Sequence, residues 1–201
     1  MFLCVVLYRS GARLRRWVFF LVMTSLIAAA TPAAWNLLRP YQQSRLTTFM
    51  NPEADPYGAG WNVIQSRVAV GAGGLTGQGF LQGSQNELAF LPARHTDFVF
   101  SVWAEEWGFV GSVLLLFLYL LLIWRCLNGA RRSLNPFNSM VSAGAAMYLL
   151  IHVTVNTGMT LGMMPVTGLP LPLITYGGSH IVMEMLLLGL AMNAIRNWRS
   201  Y

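Results

Sequence analysis

The chain has 201 residues, of which 55% are hydrophobic and only 10% are charged. A soluble domain carries about 25% charged residues, so the composition excludes an ordinary soluble surface. The net charge of +6 comes from arginines that lie beside apolar segments. No basic face of a soluble domain is present, and we therefore exclude nucleic acid as a partner. Cys4 and Cys126 lie far apart in the sequence, and we expect no disulfide between them.

Four apolar segments follow one another along the chain, at about residues 17–38, 98–124, 137–161 and 173–195. About 20 helical residues cross the hydrocarbon core of a bilayer, which is roughly 30 Å thick. We therefore predict an all-α polytopic membrane protein with four transmembrane helices. These helices form one membrane domain over residues 1–201, with a large loop at residues 39–97 between the first two.

Arginines without acidic neighbours mark one side of the membrane: Arg9, Arg13, Arg15, Arg16, Arg125, Arg131, Arg132, Arg196 and Arg199. The four arginines of the 39–97 loop are instead balanced by four carboxylates. Because short connections rich in arginine stay in the cytoplasm, we predict that both termini are cytoplasmic. The large loop then lies on the outer face.

The first half of this loop contains an amphipathic pattern and a run of glycines. Apolar residues recur at helical spacing from 62 to 69, which predicts a short helix. That helix either lies in the bilayer interface or packs within the loop. Glycines then recur from Gly71 to Gly83, either as a backbone cradle for phosphate or as a flexible loop.

The densest polar cluster of the chain directly precedes the second span. Arg94, His95, Thr96 and Asp97 place a guanidinium, an imidazole, a hydroxyl and a carboxylate side by side at a membrane surface. Thr96 or Asp97 could cap the following helix through its free backbone amides. The alternative is a site for chemistry, and position alone leaves both interpretations open.

Glu105 and Glu106 lie about two turns further along the second span. Carboxylates at this depth are costly unless they face a polar cavity or a partner. They are either a structural pair or part of a cation or substrate site.

The last two spans are joined by an apolar segment from Met163 to Pro172, which contains three prolines. These prolines exclude a regular helix. An apolar, non-helical segment near a bilayer must bury its backbone polar groups in protein or line a cavity.

Several stretches of the chain resemble the SEDS family (shape, elongation, division, sporulation) of bacterial membrane proteins. The matching stretches are Asn51–Pro56 with Gly60, Ile64–Ser66, Gly71–Leu75, Gly83–Gln85, Phe90–Phe100, Ala104–Gly111, Asn156–Met159, Pro165–Pro172 and Tyr176–Ser179. Gly83–Gln85, Arg94 and Thr167 resemble the elongation branch, RodA, more than the division branch, FtsW. The family's fold has ten spans, of which this chain resembles the last four, so we expect a fragment or a gene with a misassigned start.

The resemblance implies that the protein polymerises glycan strands from lipid II during cell elongation and shape control. In that reaction the 4-hydroxyl of the acceptor's GlcNAc attacks the anomeric carbon of the donor's MurNAc, and undecaprenyl pyrophosphate leaves. Asp97 aligns with the family's essential loop aspartate. It is the predicted catalytic base, or a ligand of Mg²⁺ or another divalent cation. Substrate-binding roles are predicted for Arg94, His95, Thr96, Glu105, Glu106, Gln65 and Ser66.

The implied partners are lipid II, the lipid bilayer of the bacterial cytoplasmic membrane and a class B penicillin-binding protein. Two alternatives to glycosyltransferase activity remain: a lipid II flippase, and a non-catalytic membrane scaffold for the penicillin-binding protein. His180 and Glu184 lie outside the family pattern and receive no role. His152 also lies outside it, and we predict that it packs near Asn156.

Overall fold

The structure, a computed structural model, describes residues 11–54, 56, 60–80, 82 and 97–196. All regular elements in these ranges are helices, in agreement with the predicted fold class. The chain divides into two compact units, Met1–Leu46 and Thr47–Tyr201.

The first unit contains α1 (Gly11–Leu37), and α2 (Pro40–Met50) begins in it. The large apolar side chains between Trp17 and Ile27 are 37–67% exposed, as expected for a helix that faces lipid or another apolar surface. The apolar stretch Trp17–Thr31 is shorter than the apolar helices of the second unit. It gives about 22 Å of helix. The first predicted span is therefore helical, and its membrane crossing stays a prediction.

The second unit contains a 3₁₀ turn (Pro52–Ala54), α3 (Trp61–Ala72), α4 (Val99–Arg132), α5 (Pro136–Thr160) and α6 (Gly178–Arg196). Within the described residues, α4, α5 and α6 are the three helices long and apolar enough to cross a membrane. The helix that contains the second predicted span continues from 124 to Arg132, and the helix of the last one starts at Gly178, after the predicted start at 173. The bounds of the spans themselves stay predictions.

The three long helices form an antiparallel bundle because the connection between α4 and α5 is short. The Asn135 side chain accepts a hydrogen bond from the Phe137 amide at 2.9 Å, and Pro136 occupies the first helical position, so α5 starts immediately. Buried Ala145, Ala146 and Ala191 lie in the core of the bundle. Small residues of this kind let membrane helices approach closely.

The predicted helix at 62–69 is confirmed as α3, which packs against α4 and α5. Its buried residues are Val63, Ser66 and Ala69. This packing favours the helix within the loop over the helix in the bilayer interface. We call the end of the bundle where α4 begins, α5 ends and α6 begins the site end.

Candidate functional site

A break in α4 shapes the site end. Gly108 has φ 66° and ψ −162°, which interrupts the helix. The loop that follows α3 inserts into this interruption. The amides of Gln78 and Gly79 donate to the carbonyls of Glu105 and Glu106 at 3.0 and 3.1 Å. In return, the amides of Phe109 and Val110 donate to the carbonyls of Gly74 and Leu75 at 2.9 and 3.2 Å, so the loop replaces hydrogen bonds that the helix loses.

Glycine is required on both sides of this contact. A Cβ on Gly77 would lie 2.1 Å from the Glu106 carbonyl oxygen, and one on Gly108 would lie 2.3 Å from the Gly77 nitrogen. The amides of Gln78 and Gly79 are bonded to the helix. The glycine run from 73 to 79 therefore works as a structural brace for α4, a role that neither predicted interpretation included. Gly83 lies outside the described residues.

The side chains of Glu105 and Glu106 lie just before the break. Glu105 has no exposed surface, and Glu106 is 8% exposed. Little of either side chain is therefore accessible to a ligand in this structure. Their backbone carbonyls hold the glycine loop, so the observed role of this pair is to brace the break.

Asp97 lies in the turn that leads into α4 and is half-buried. Its neighbour Phe98 is 1% exposed and packs with Ala69 of α3 and with Val166. Because Phe98 is anchored, the backbone of Asp97 is fixed at the site end. Its carbonyl accepts a hydrogen bond from Asn156 Nδ2 at 2.9 Å.

The Asp97 carboxylate faces the segment that joins α5 to α6. A Cβ on Gly168, which has φ +74°, would lie 3.5 Å from Asp97 Oδ2. Gly168 therefore lies directly beside the carboxylate, and a side chain at position 168 would be in van der Waals contact with it.

Helix capping does not account for Asp97. The N-cap of α4 is Phe98, and its side chain makes no capping hydrogen bond; among the described residues, no other side chain is assigned as a cap of this helix. The Ser101 hydroxyl donates to the Phe98 carbonyl at 2.7 Å. The capping alternative is therefore wrong for Asp97. Arg94, His95 and Thr96 lie outside the described residues.

Gln65 and Ser66 lie on α3, and only Gln65 is partly exposed. The Ser66 side chain is fully buried, and its hydroxyl donates to the Thr160 carbonyl at 2.8 Å. The Arg67 guanidinium donates to the Gly162 carbonyl at 2.9 Å. Ser66 and Arg67 thus bind the carbonyls at the end of α5, and the proposed site does not include Ser66.

The segment from Gly162 to Leu173, which we call the proline segment, contains no regular helix, as predicted. Side chains bind its backbone polar groups. Asn156 Nδ2 donates to the Leu169 carbonyl at 2.8 Å, and the Tyr119 hydroxyl donates to the Pro172 carbonyl. The Leu173 amide donates to Glu184 Oε2 at 2.8 Å.

Asn156 and Glu184 are the residues of this region that sequence reasoning missed. Both are polar side chains in predicted spans, and both are at most 2% exposed. Such residues are rare and usually functional within membranes, which is the signal that could have identified them. His152 was predicted to pack near Asn156. The structure shows a further neighbour, since the centroid of the His152 ring lies 4.2 Å from that of Tyr148.

No group of three or more metal-binding side chains occurs among the described residues. Mg²⁺ often keeps several waters and binds through one or two carboxylates together with substrate phosphates. Asp97 alone is compatible with that mode of binding.

The described helices and the half-buried carboxylate define a helical membrane protein with its candidate site at one end of the bundle. The chain belongs to the family of cell cycle proteins that comprises FtsW, RodA and SpoVE, whose model matches residues 1–200. It is 46% identical over 189 residues to the peptidoglycan glycosyltransferase MrdB of Escherichia coli K12. It is 43% identical over 185 residues to the peptidoglycan glycosyltransferase RodA of Treponema pallidum.

The stage V sporulation protein E of Bacillus subtilis is also similar, with 37% identity over 192 residues. These matches cover 92–96% of this chain and 43–51% of the relatives. The chain therefore spans about half the length of the curated relatives it matches.

Two solved structures are similar. A chain from a peptidoglycan synthase complex, described as coordinating polymerization and crosslinking, is 39% identical with a TM-score of 0.70. This match covers 92% of our chain and 51% of that one. An Asp-to-Ala variant of RodA from Thermus thermophilus is 44% identical with a TM-score of 0.52, over 63% of our chain and 40% of the other.

Proposed function

We propose that this chain carries the Asp97-centred site of a peptidoglycan glycosyltransferase that polymerises glycan strands from lipid II in cell elongation. Relatives named as peptidoglycan glycosyltransferases support the activity. The RodA-type role, rather than an FtsW-type one, is supported by 46% and 43% identity to MrdB and RodA, compared with 40% to an FtsW.

The observation that carries the proposal is the position of Asp97. Its backbone is fixed by Phe98 and Asn156, and its half-buried carboxylate lies beside Gly168. A base that is held rigidly and partly shielded from water, yet reachable by substrate, is suited to proton transfer.

In the proposed step, the Asp97 carboxylate takes the proton of the acceptor's GlcNAc 4-hydroxyl. The oxygen forms a bond to the anomeric carbon of the donor's MurNAc. The bond from that carbon to the pyrophosphate oxygen breaks with its electron pair, and undecaprenyl pyrophosphate leaves. Atoms and charge balance without a further reactant.

The negative charge that develops on the pyrophosphate requires a positive partner. Arg94 and His95 are the proposed partners, and Thr96 is proposed to orient Asp97 or to bind phosphate. Mg²⁺ bound through Asp97 and water would supply further positive charge to the leaving group. Gln65, Glu105 and Glu106 then support the substrate site from α3 and from the break in α4.

The Asp97→Asn substitution tests this proposal in the complete protein, purified in lipid nanodiscs and supplied with lipid II. Asparagine preserves the shape of the side chain but cannot accept the proton, so we expect glycan polymer to fall by at least about 100-fold, as for loss of a general base. Membrane insertion and thermal stability should stay unchanged. The products are separated by gel electrophoresis and quantified with a labelled lipid II.

Glu53→Gln is the matched control, because Glu53 is an exposed carboxylate of the same loop and should be dispensable. Near-normal polymer from Asp97→Asn would refute the assignment of the base. If the wild type forms no polymer but moves labelled lipid II across the bilayer, the result would favour the flippase.

We also propose a bacterial cytoplasmic membrane location, with both termini in the cytoplasm, and a class B penicillin-binding protein as partner. The similar chain in a complex that coordinates polymerization and crosslinking supports such a partner. Co-purification with that enzyme, with no polymer formed under any lipid II condition, would favour the scaffold instead.

A further inference from the structure

Four polar side chains meet inside the bundle, between α5 and α6. His180 Nδ1 lies 3.1 Å from Glu184 Oε1. The Tyr148 hydroxyl lies 3.4 Å from Glu184 Oε1 and 3.3 Å from His180 Nε2. The His152 ring stacks on Tyr148, with 4.2 Å between the ring centroids.

This cluster also holds the proline segment. Glu184 Oε2 accepts the Leu173 amide at 2.8 Å, and His152 Nδ1 lies 3.1 Å from the Pro170 carbonyl oxygen. The two ends of the Glu184 carboxylate therefore have different partners. One oxygen faces His180 and Tyr148, and the other binds the backbone of the proline segment.

The bond to Leu173 fixes a backbone conformation that leucine rarely adopts. Leu173 has φ +67° and is the described non-glycine residue with positive φ. Cβ sterics disfavour this conformation in an L-residue, so it persists only where neighbouring contacts impose it. The Glu184 carboxylate is such a contact, and Leu173 forms the end of the proline segment.

The proline segment in turn borders Asp97. Asn156 Nδ2 donates to the Leu169 carbonyl and to the Asp97 carbonyl, and Gly168 lies beside Asp97 Oδ2. From Leu173 to Gly168 the chain is held at Leu173, Pro172, Pro170 and Leu169. Glu184 thus supplies the last of four side-chain anchors along the segment that borders the Asp97 carboxylate.

We propose that Glu184, supported by His180 and Tyr148, is a positioning residue that sets the proline segment against Asp97, together with His152, which holds the same segment at Pro170. This inference rests on the proposed polymerase function. Glu184 lies inside the bundle and acts through the proline segment. It should therefore affect the rate of the chemical step more than the binding of lipid II.

The test compares Glu184→Leu with Glu184→Gln in the complete protein in nanodiscs, with kcat and KM for lipid II measured separately. Leucine removes the acceptor for the Leu173 amide. A displacement of about 1 Å in an active site can lower the rate by about 100-fold, so we expect kcat to fall by more than about tenfold while KM changes by less than about twofold. Glutamine keeps a carbonyl acceptor and should restore kcat to within about threefold of the wild type.

Met185→Leu is the control for a substitution on α6, because Met185 is 57% exposed and points away from the cluster. His152→Phe is a second variant that keeps the stacked ring but loses the nitrogen near Pro170. It should lower kcat by about three- to tenfold without changing KM. If Glu184→Leu does not accumulate in the membrane, His152→Phe decides the question.

Wild-type kcat in both Glu184→Leu and His152→Phe would overturn the inference, as would a loss in Glu184→Gln equal to that in Glu184→Leu. A raised KM with unchanged kcat would also overturn it, because it would place the cluster in substrate binding. If Asp97→Asn is inactive while the Glu184 variants have the wild-type kcat, this inference is refuted and the proposed function stands. An active Asp97→Asn would refute the proposed function itself.

Discussion

Asn156 is the side chain through which three parts of the site end are joined. It lies on α5, is fully buried, and its amide donates both to Asp97 before α4 and to Leu169 in the proline segment. Both acceptors are backbone carbonyls that no helix satisfies. The interior of a membrane protein offers no water to replace a lost donor. The side-chain amide of Asn156 therefore stabilises the fold and also fixes the position of the Asp97 backbone.

We expect Asn156→Ala to lower the stability of the purified protein by about 1–3 kcal/mol, the cost of leaving buried carbonyls without donors. Polymer formation should fall as well, because Asp97 loses its support. Asn156→Asp should do no better, since an ionised carboxylate donates no hydrogen bond. Thermal unfolding in detergent measures the loss of stability. Thr154→Ala is the matched control, because Thr154 is exposed on the same helix. Equal stability of the two alanine variants would contradict this role.

At the scale of a single element, the break at Gly108 divides α4 into a short first part and a long second part. Up to Trp107 the helix carries the acidic pair, and from Phe109 it continues for about 36 Å to Arg132. The glycine loop supplies two donors and two acceptors to the broken turn. The brace therefore fixes the direction of the short first part of α4, and with it the turn that holds Asp97.

Alanine at three glycines separates the steric and conformational parts of this brace. Gly71 has open space around it within α3, so Gly71→Ala should be neutral or stabilising by about 0.5–1 kcal/mol. Gly74 also has open space but φ +53°, so its alanine should cost about 1–2 kcal/mol. Gly77→Ala adds a clash with Glu106 and should cost more. Thermal midpoints should fall in that order, and a harmless Gly77→Ala would contradict the close contact.

The sequence predicted α3, the approximate extent of α5 and the non-helical proline segment, because apolar spacing, a long apolar run and three prolines are local signals. It did not predict the break at Gly108, since a lone glycine in an apolar run looks the same in a continuous helix. The interruption depends on hydrogen bonds that the Gly74 carbonyl accepts and the Gln78 amide donates, and both residues are distant from Gly108 in sequence. Two partners of Glu184 were equally hidden, because Tyr148 lies on another helix and the Leu173 amide is a backbone group.

At the scale of the whole molecule, charge separates the two ends of the bundle. Arg125, Arg131, Arg132 and Arg196 lie at the end opposite to the site end. Among the described residues of the second unit, the carboxylates lie nearer the site end. The positive-inside rule predicts that these arginines lie in the cytoplasm and that Asp97 lies on the outer face, which is the side that the proposed function requires.

Cysteine labelling tests this orientation in the complete protein after Cys4 and Cys126 are replaced by serine. Thr76 is exposed in the glycine loop, and Leu134 is 60% exposed in the turn between α4 and α5. We expect a membrane-impermeant maleimide to label Thr76→Cys in intact spheroplasts, and to label Leu134→Cys only after lysis. The 36 Å of helix between the two positions exceeds the roughly 30 Å hydrocarbon core, so both cannot lie on one side if α4 spans the membrane. Labelling of Leu134→Cys before lysis would reverse or abolish the proposed orientation and would remove Asp97 from the outer face.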